Sequence, residues 1–117
     1  MIIEQGSIGA ARLYAKIGEM LNENMPAEAA NISTDIRAKL VRLCELVDVL
    51  NDEEGVEQVA VAYEKNPSLI SFIIDVDELV FQNGRAHSFF EYIKSANVMS
   101  FSKSSNDGIS VKLGVVL

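Results

Sequence analysis

His87 is the single imidazole in the chain and Cys44 the single thiol. With no second His, a zinc site would have to be completed by carboxylates, which is unusual for that metal. General-base work by His87 would need a cleft and an orienting partner; a surface or capping role is expected instead. Cys44 follows Leu43 on the apolar side of a helical pattern, where a buried structural thiol is the common case. Nothing nearby in sequence supplies the environment that activates a nucleophilic cysteine. Asp75-Val76-Asp77-Glu78 is the nearest approach to a cation motif, but it lacks the spacing and terminal Glu of an EF-hand loop. Ser100, Ser102, Ser104 and Ser105 crowd the C-terminal region without forming a Gly-x-Ser-x-Gly elbow, and neither a Walker loop nor a dinucleotide fingerprint occurs. These readings assign no catalytic residue, no metal and no cofactor, and the chain is expected not to be an enzyme.

The carboxylates are the strongest chemical signal. Net charge is −7, and it is unevenly placed. Ten acidic residues and one base, Lys65, lie between Glu45 and Glu78; seven acids and nine bases make up the rest. A direct nucleic-acid binder needs the opposite sign, because Lys and Arg on phosphate supply most of the affinity. An anionic membrane surface is disfavoured for the same reason. The plain role of such a segment is a solvated face that aids solubility. The sharper one is a docking face for a basic protein partner, built from Glu45, Asp48, Asp52, Glu53, Glu54, Glu57, Asp75, Asp77 and Glu78.

Length and composition frame the scaffold. A chain of 117 residues, 49% hydrophobic, is expected to fold as a single domain over residues 1–117 with its own core. One Cys excludes a disulfide framework. No apolar run is long enough to span a bilayer. No basic and then apolar leader opens the sequence, so a cytoplasmic location is expected, and the sequon at Asn31-Ile32-Ser33 reads as a chance match.

Periodicity then places the elements. Over 7–23, Ala10, Leu13, Tyr14, Ile17, Met20 and Leu21 follow helical spacing, with Ser7 as a candidate N-cap. Over 27–51, Ile32, Ile36, Leu40, Leu43, Val47 and Leu50 form a seam in alternating steps of four and three. Ser33 or Thr34 could start a second helix within that stretch. Asn51 and Glu54 resemble a capping box and predict a helix over about 52–65, which would give Asp52-Glu53-Glu54 a structural cause at a helix N-terminus. Residues 68–82 fit two periods. Ile70, Phe72, Ile74 and Val76 alternate as in a strand, but the length, Pro67 before and Asn83-Gly84 after favour a buried helix. A short fifth helix is expected from Arg85 to about Ala96, with Phe89, Phe90, Tyr92 and Ile93 as core.

The period changes to two in the C-terminal region, which predicts a β-hairpin over 98–104 and 109–117. A three-residue loop, Asn106 to Gly108, would pair Phe101 with Leu113 and Met99 with Val115, keeping one apolar face with a G1 bulge at Gly108. Residues 1–5 are a candidate third strand, and the apolar end Val115-Val116-Leu117 suggests a homodimer through the hairpin edge. The expected fold is therefore α+β, mostly α, with about five helices and a small antiparallel sheet. The leading function is a protein-binding module: an adaptor, chaperone-like or inhibitory protein. One alternative is a small-molecule domain or minor enzyme with a pocket near His87, Phe89 and Tyr92. The other is an inhibitor that mimics nucleic-acid charge.

Overall fold

The computed structural model describes residues 2–4, 9–50, 56–76, 91–103 and 108–117. Their elements are β1 (Ile2–Glu4), α1 (Ala10–Asn24), α2 (Pro26–Ala29), α3 (Thr34–Leu50), β2 (Val56–Glu64), β3 (Leu69–Val76), β4 (Val98–Lys103) and β5 (Ile109–Val116). The strands form one antiparallel sheet in the order β1-β2-β3-β5-β4.

α1 begins after Gly9, whose φ of 85° is strained for residues bearing a Cβ. It buries Leu13, Ile17, Met20 and Leu21, one stripe at helical spacing. The Asn24 side chain folds back in the last turn of α1 and donates to the Met20 carbonyl at 2.8 Å. Pro26 follows at the first position of α2, where its missing N–H costs nothing. Ser33 caps α3: its Oγ accepts from the Ile36 N–H at 3.2 Å. The stretch 27–51 is thus broken into two helices by a cap that competes for the backbone. α3 buries Leu40, Leu43, Cys44, Leu46, Val47 and Leu50. The seam predicted there is buried from Leu40 onward, packed on α1 and the sheet.

Two predicted helices are strands, and this overturns the mostly helical fold. Residues 56–64 of the stretch 52–65 form β2, and 69–76 of the stretch 68–82 form β3. In β2, Val59 and Val61 turn to the helices while Ala60 and Ala62 turn away, a period of two that the Val/Ala run also lets pass as a helical face. β3 lies between β2 and β5 and buries residues on both faces, so its apolar run is nearly continuous and imitates a central helix. In place of five helices and a small sheet, the described residues hold three helices, a helical turn at Glu91–Ile93 and a five-stranded sheet. An α+β description remains compatible. Ser7, Asn51, Asn83-Gly84 and residues 85–90 of the fifth helix lie outside the described residues.

The hairpin is present with a different register. Lys103 pairs with Ile109, Phe101 with Val111 and Met99 with Leu113, so five residues connect the strands rather than three. Odd residues still face odd residues, which keeps Val111, Leu113 and Val115 together in the core. β1 joins the sheet, but on β2 at the opposite edge from the hairpin. β5 lies inside the sheet, so the apolar end 115–117 is no edge; β4 is. Gly114 permits the close β4–β5 approach: a Cβ there would lie 3.3 Å from the Val98 Cβ. α1 and α3 pack on each other and cover one face of the sheet, α1 over β2 and α3 over β5.

Candidate functional site

The acids were expected to share one outward surface, and the sheet register decides how far they meet. α3 carries Glu45 and Asp48, one turn apart. Glu45 Oε2 accepts from Arg42 at 3.2 Å, and the Arg42 guanidinium lies 4.4 Å from the centre of the Tyr92 ring, so one cation ties α3 to the turn at Glu91–Ile93. Asp48 is exposed in the last turn of α3. A negative charge there opposes the helix dipole, so the helix itself gives no reason for it.

α3 ends at Leu50 and β2 starts at Val56, opposite Val76 at the end of β3. The start of β2 and the end of β3 are therefore side by side. Acidic sequence lies immediately before the one (Asp52, Glu53, Glu54) and after the other (Asp77, Glu78); those five residues are outside the described part. The β2–β3 register shifts between Val56 and Gln58, which puts Glu57 at a bulge. Asp75 is half-buried on β3, opposite Gln58 and Ser110, on the face turned away from the helices. Glu45 and Asp48 belong to the helix layer, Asp75 to the sheet's other face. Asp75 is in a strand and so is not on the helix expected over 68–82. Asp52 likewise lies beyond the last residue of α3.

Sequence reasoning missed a second polar cluster, on that other face. Ser71, fully buried, donates to Glu64. The Lys112 ammonium donates to Glu64 Oε1 at 2.9 Å. The three side chains come from β2, β3 and β5, and only their register joins them. The Ser71 hydroxyl and then Lys112, by hydrogen bond and by charge, hold the Glu64 carboxyl below its ordinary range. A carboxylate whose folded pKa is depressed stabilises the fold above the unfolded pKa, and that stabilisation is lost as pH falls through the folded pKa. Glu64 is 39% exposed, so solvent screening limits the effect. Glu64→Gln is expected to cost about 0.5–1 kcal/mol at neutral pH and to cost less as the medium is acidified below the carboxylate range. Urea melts of both proteins from pH 7 to pH 3 check this; a gap that stays constant with pH would refute it.

The nucleophile candidates are placed as follows. Cys44 is fully buried, and burial, with the Glu45 charge second, pushes its thiol up to about 12. Such a thiol stays protonated and unreactive. Ser71 is inaccessible. Ser100 and Ser102 are exposed on β4, and His87, Phe89, Ser104 and Ser105 lie outside the described residues. Tyr92, the remaining residue of the expected aromatic pocket, is half-buried beneath Arg42. Among the described residues no group of three His, Cys, Asp or Glu is placed to hold a metal ion, and no helix is long and apolar enough to cross a membrane.

The clefts formed by described residues lie elsewhere. One, of about 300 Å³, opens between α1 and the α2–α3 connection, with Gly18, Ile32 and Arg37 among its walls. A wider one, of about 670 Å³, separates the same connection from Tyr63, Ser68 and Leu117. Comparison with known protein families, curated proteins and solved structures gives no match to this chain.

Proposed function

We propose that the chain is a non-catalytic binding module that docks a basic protein partner at the end of the molecule where α3 finishes, β2 starts and β3 finishes. The observation that carries this reading is the strand at Val56–Glu64. With β2 in place of a helix over 52–65, the helix N-terminus that would have accounted for Asp52-Glu53-Glu54 is gone. Asp48, at the wrong end of α3 for its charge, lacks a local structural reason too. The start of β2 pairs with the end of β3, and in sequence a second acidic stretch, Asp77-Glu78, follows β3. Charges kept without local benefit suit long-range steering of a cationic surface. The protonated, buried Cys44 and the buried Ser71 support a non-catalytic role.

The test is capture of defined Lys/Arg-rich peptides by the full chain over a salt series. Reversal of Asp48, Asp52, Glu53 and Asp77 to Lys is expected to lower capture at least tenfold, a loss of about 1.4 kcal/mol or more. Reversal of four other acids, Glu19, Glu23, Glu28 and Asp35, on α1, α2 and the first turn of α3, changes net charge by the same amount and leaves capture within about twofold. Capture by the parent chain should fall as salt shortens the screening length from about 10 Å at 0.1 M to about 3 Å at 1 M. Equal losses in both variants would mean that net charge alone acts, and the docking face would be abandoned.

A second reading concerns assembly. All six residues of β4 are exposed, Met99 by 48% and Phe101 by 54%, although they lie in register with buried Leu113 and Val111. An outer strand with an apolar face invites addition of another strand. A second copy pairing antiparallel through β4 would continue the sheet. Light scattering over a dilution series is expected to give twice the chain mass at high concentration, and Phe101→Lys to restore the monomer. A single chain mass at every concentration removes this reading.

A further inference from the structure

We propose that the cleft between α1 and the α2–α3 connection binds a medium-chain aliphatic carboxylate, with the acid group on Arg37 and the chain along Gly18. Three observations converge there. First, Ile17, Leu21 and Leu40, all nearly or fully buried, contribute to the lining, so the depth of the cleft is apolar. Second, its cation is held in position: Arg37 Nε donates to the Ile32 carbonyl at 3.1 Å. That bond orients the exposed guanidinium at the mouth of the cleft, with no other partner for its terminal N–H groups among the described residues, and such a group can take a carboxylate through two hydrogen bonds. No acidic side chain is among the described residues of the lining, although acids outnumber bases by 17 to 10 in the chain.

The third observation is Gly18. It sits in the middle of α1, where glycine is among the poorest helix formers. Its conformation does not require glycine, and a Cβ there would meet no heavy atom within 4 Å. Packing within the described chain therefore gives no reason to omit the side chain. What the omission does is open the wall of the cleft. A volume of about 300 Å³ lies at the lower end for small-molecule sites, which suits a short aliphatic chain better than a ring system or a nucleotide. A carboxylate satisfies the one oriented cation; an aliphatic tail satisfies the depth.

The experiment is calorimetric titration of the full chain with octanoate, octanol and octylammonium. Octanoate is expected to bind saturably to one site, octanol at least tenfold more weakly and octylammonium not at all. Arg37→Gln should reduce octanoate to the octanol level while leaving octanol unchanged. Gly18→Leu, which fills open space, should abolish binding of both with the circular dichroism spectrum retained. Should that variant not fold, Ala15→Leu on the rim of the same helix serves the same purpose. Octylammonium binding as well as octanoate, octanoate binding undiminished in the filled variants, or no octanoate binding would each overturn the assignment. The acid-reversal variants tested on peptides retain the cleft and should bind octanoate normally, so a failed docking face and a failed cleft are told apart.

Discussion

Phe72→Ala is expected to destabilise the protein by about 3–5 kcal/mol. Phe72 is fully buried at the middle of the central strand. It stands between Val61 on β2 and Leu113 on β5, on the sheet face that α1 and α3 cover. Its neighbours on that face of β3, Ile70 and Ile74, are fully buried as well. Truncation removes the transfer free energy of the ring and leaves a void that side chains from three strands and two helices would have to fill at once. Domains of this kind are stable by only about 5–15 kcal/mol in total, so the variant should melt on the order of 10–20 °C lower. Phe101→Ala is the control. It removes the same ring from an edge strand where it is 54% exposed, and its cost should stay below about 1 kcal/mol. Thermal melts by circular dichroism measure both. Similar losses for the two would mean that the sheet edge, rather than its centre, carries the core.

The contrast between those phenylalanines also marks where the sequence was legible. Leu13, Ile17, Met20 and Leu21 announce α1 because a one-sided helix leaves its partner's shape in its own spacing. Ser33 announces a break because its side chain competes for the same backbone groups wherever it stands. The parity of the hairpin follows from alternation alone. β3 hides for the opposite reason: buried on both faces, it offers no contrast between sides, and Leu69 to Ile74 satisfies two periods at once. β2 hides because alanine is tolerated on helix and strand alike. The site divides in the same way. The acidic residues are visible as composition, but that the start of β2 lies beside the end of β3 depends on Val56 meeting Val76. Glu64 and Lys112, 48 residues apart, and Gly18 and Arg37, on different helices, are joined by packing that no local pattern records.

Leu43→Ala is expected to cost about 2–5 kcal/mol, and its consequence reaches the proposed docking face. Leu43 is fully buried on the side of α3 that packs into the core, next to Arg42, which holds Glu45 and covers Tyr92. Among the described residues α3 meets the sheet through apolar side chains, so shortening Leu43 loosens the whole helix rather than one contact. Val49→Ala, on the outer side of the same helix where Val49 is 41% exposed, should stay within about 0.5 kcal/mol. Because Glu45 and Asp48 ride on α3, a loosened helix no longer holds their charges in place over the sheet. Leu43→Ala should therefore lower both the melting temperature and the capture of basic peptides. Asp48→Lys should lower capture alone, and it should leave α3 slightly more stable, since a cation in the last turn complements the dipole that the aspartate opposes. Urea denaturation and peptide capture on the same three variants separate the two effects. If Leu43→Ala weakens the fold while capture at a temperature well below its melt is unchanged, α3 does not position the charges that bind.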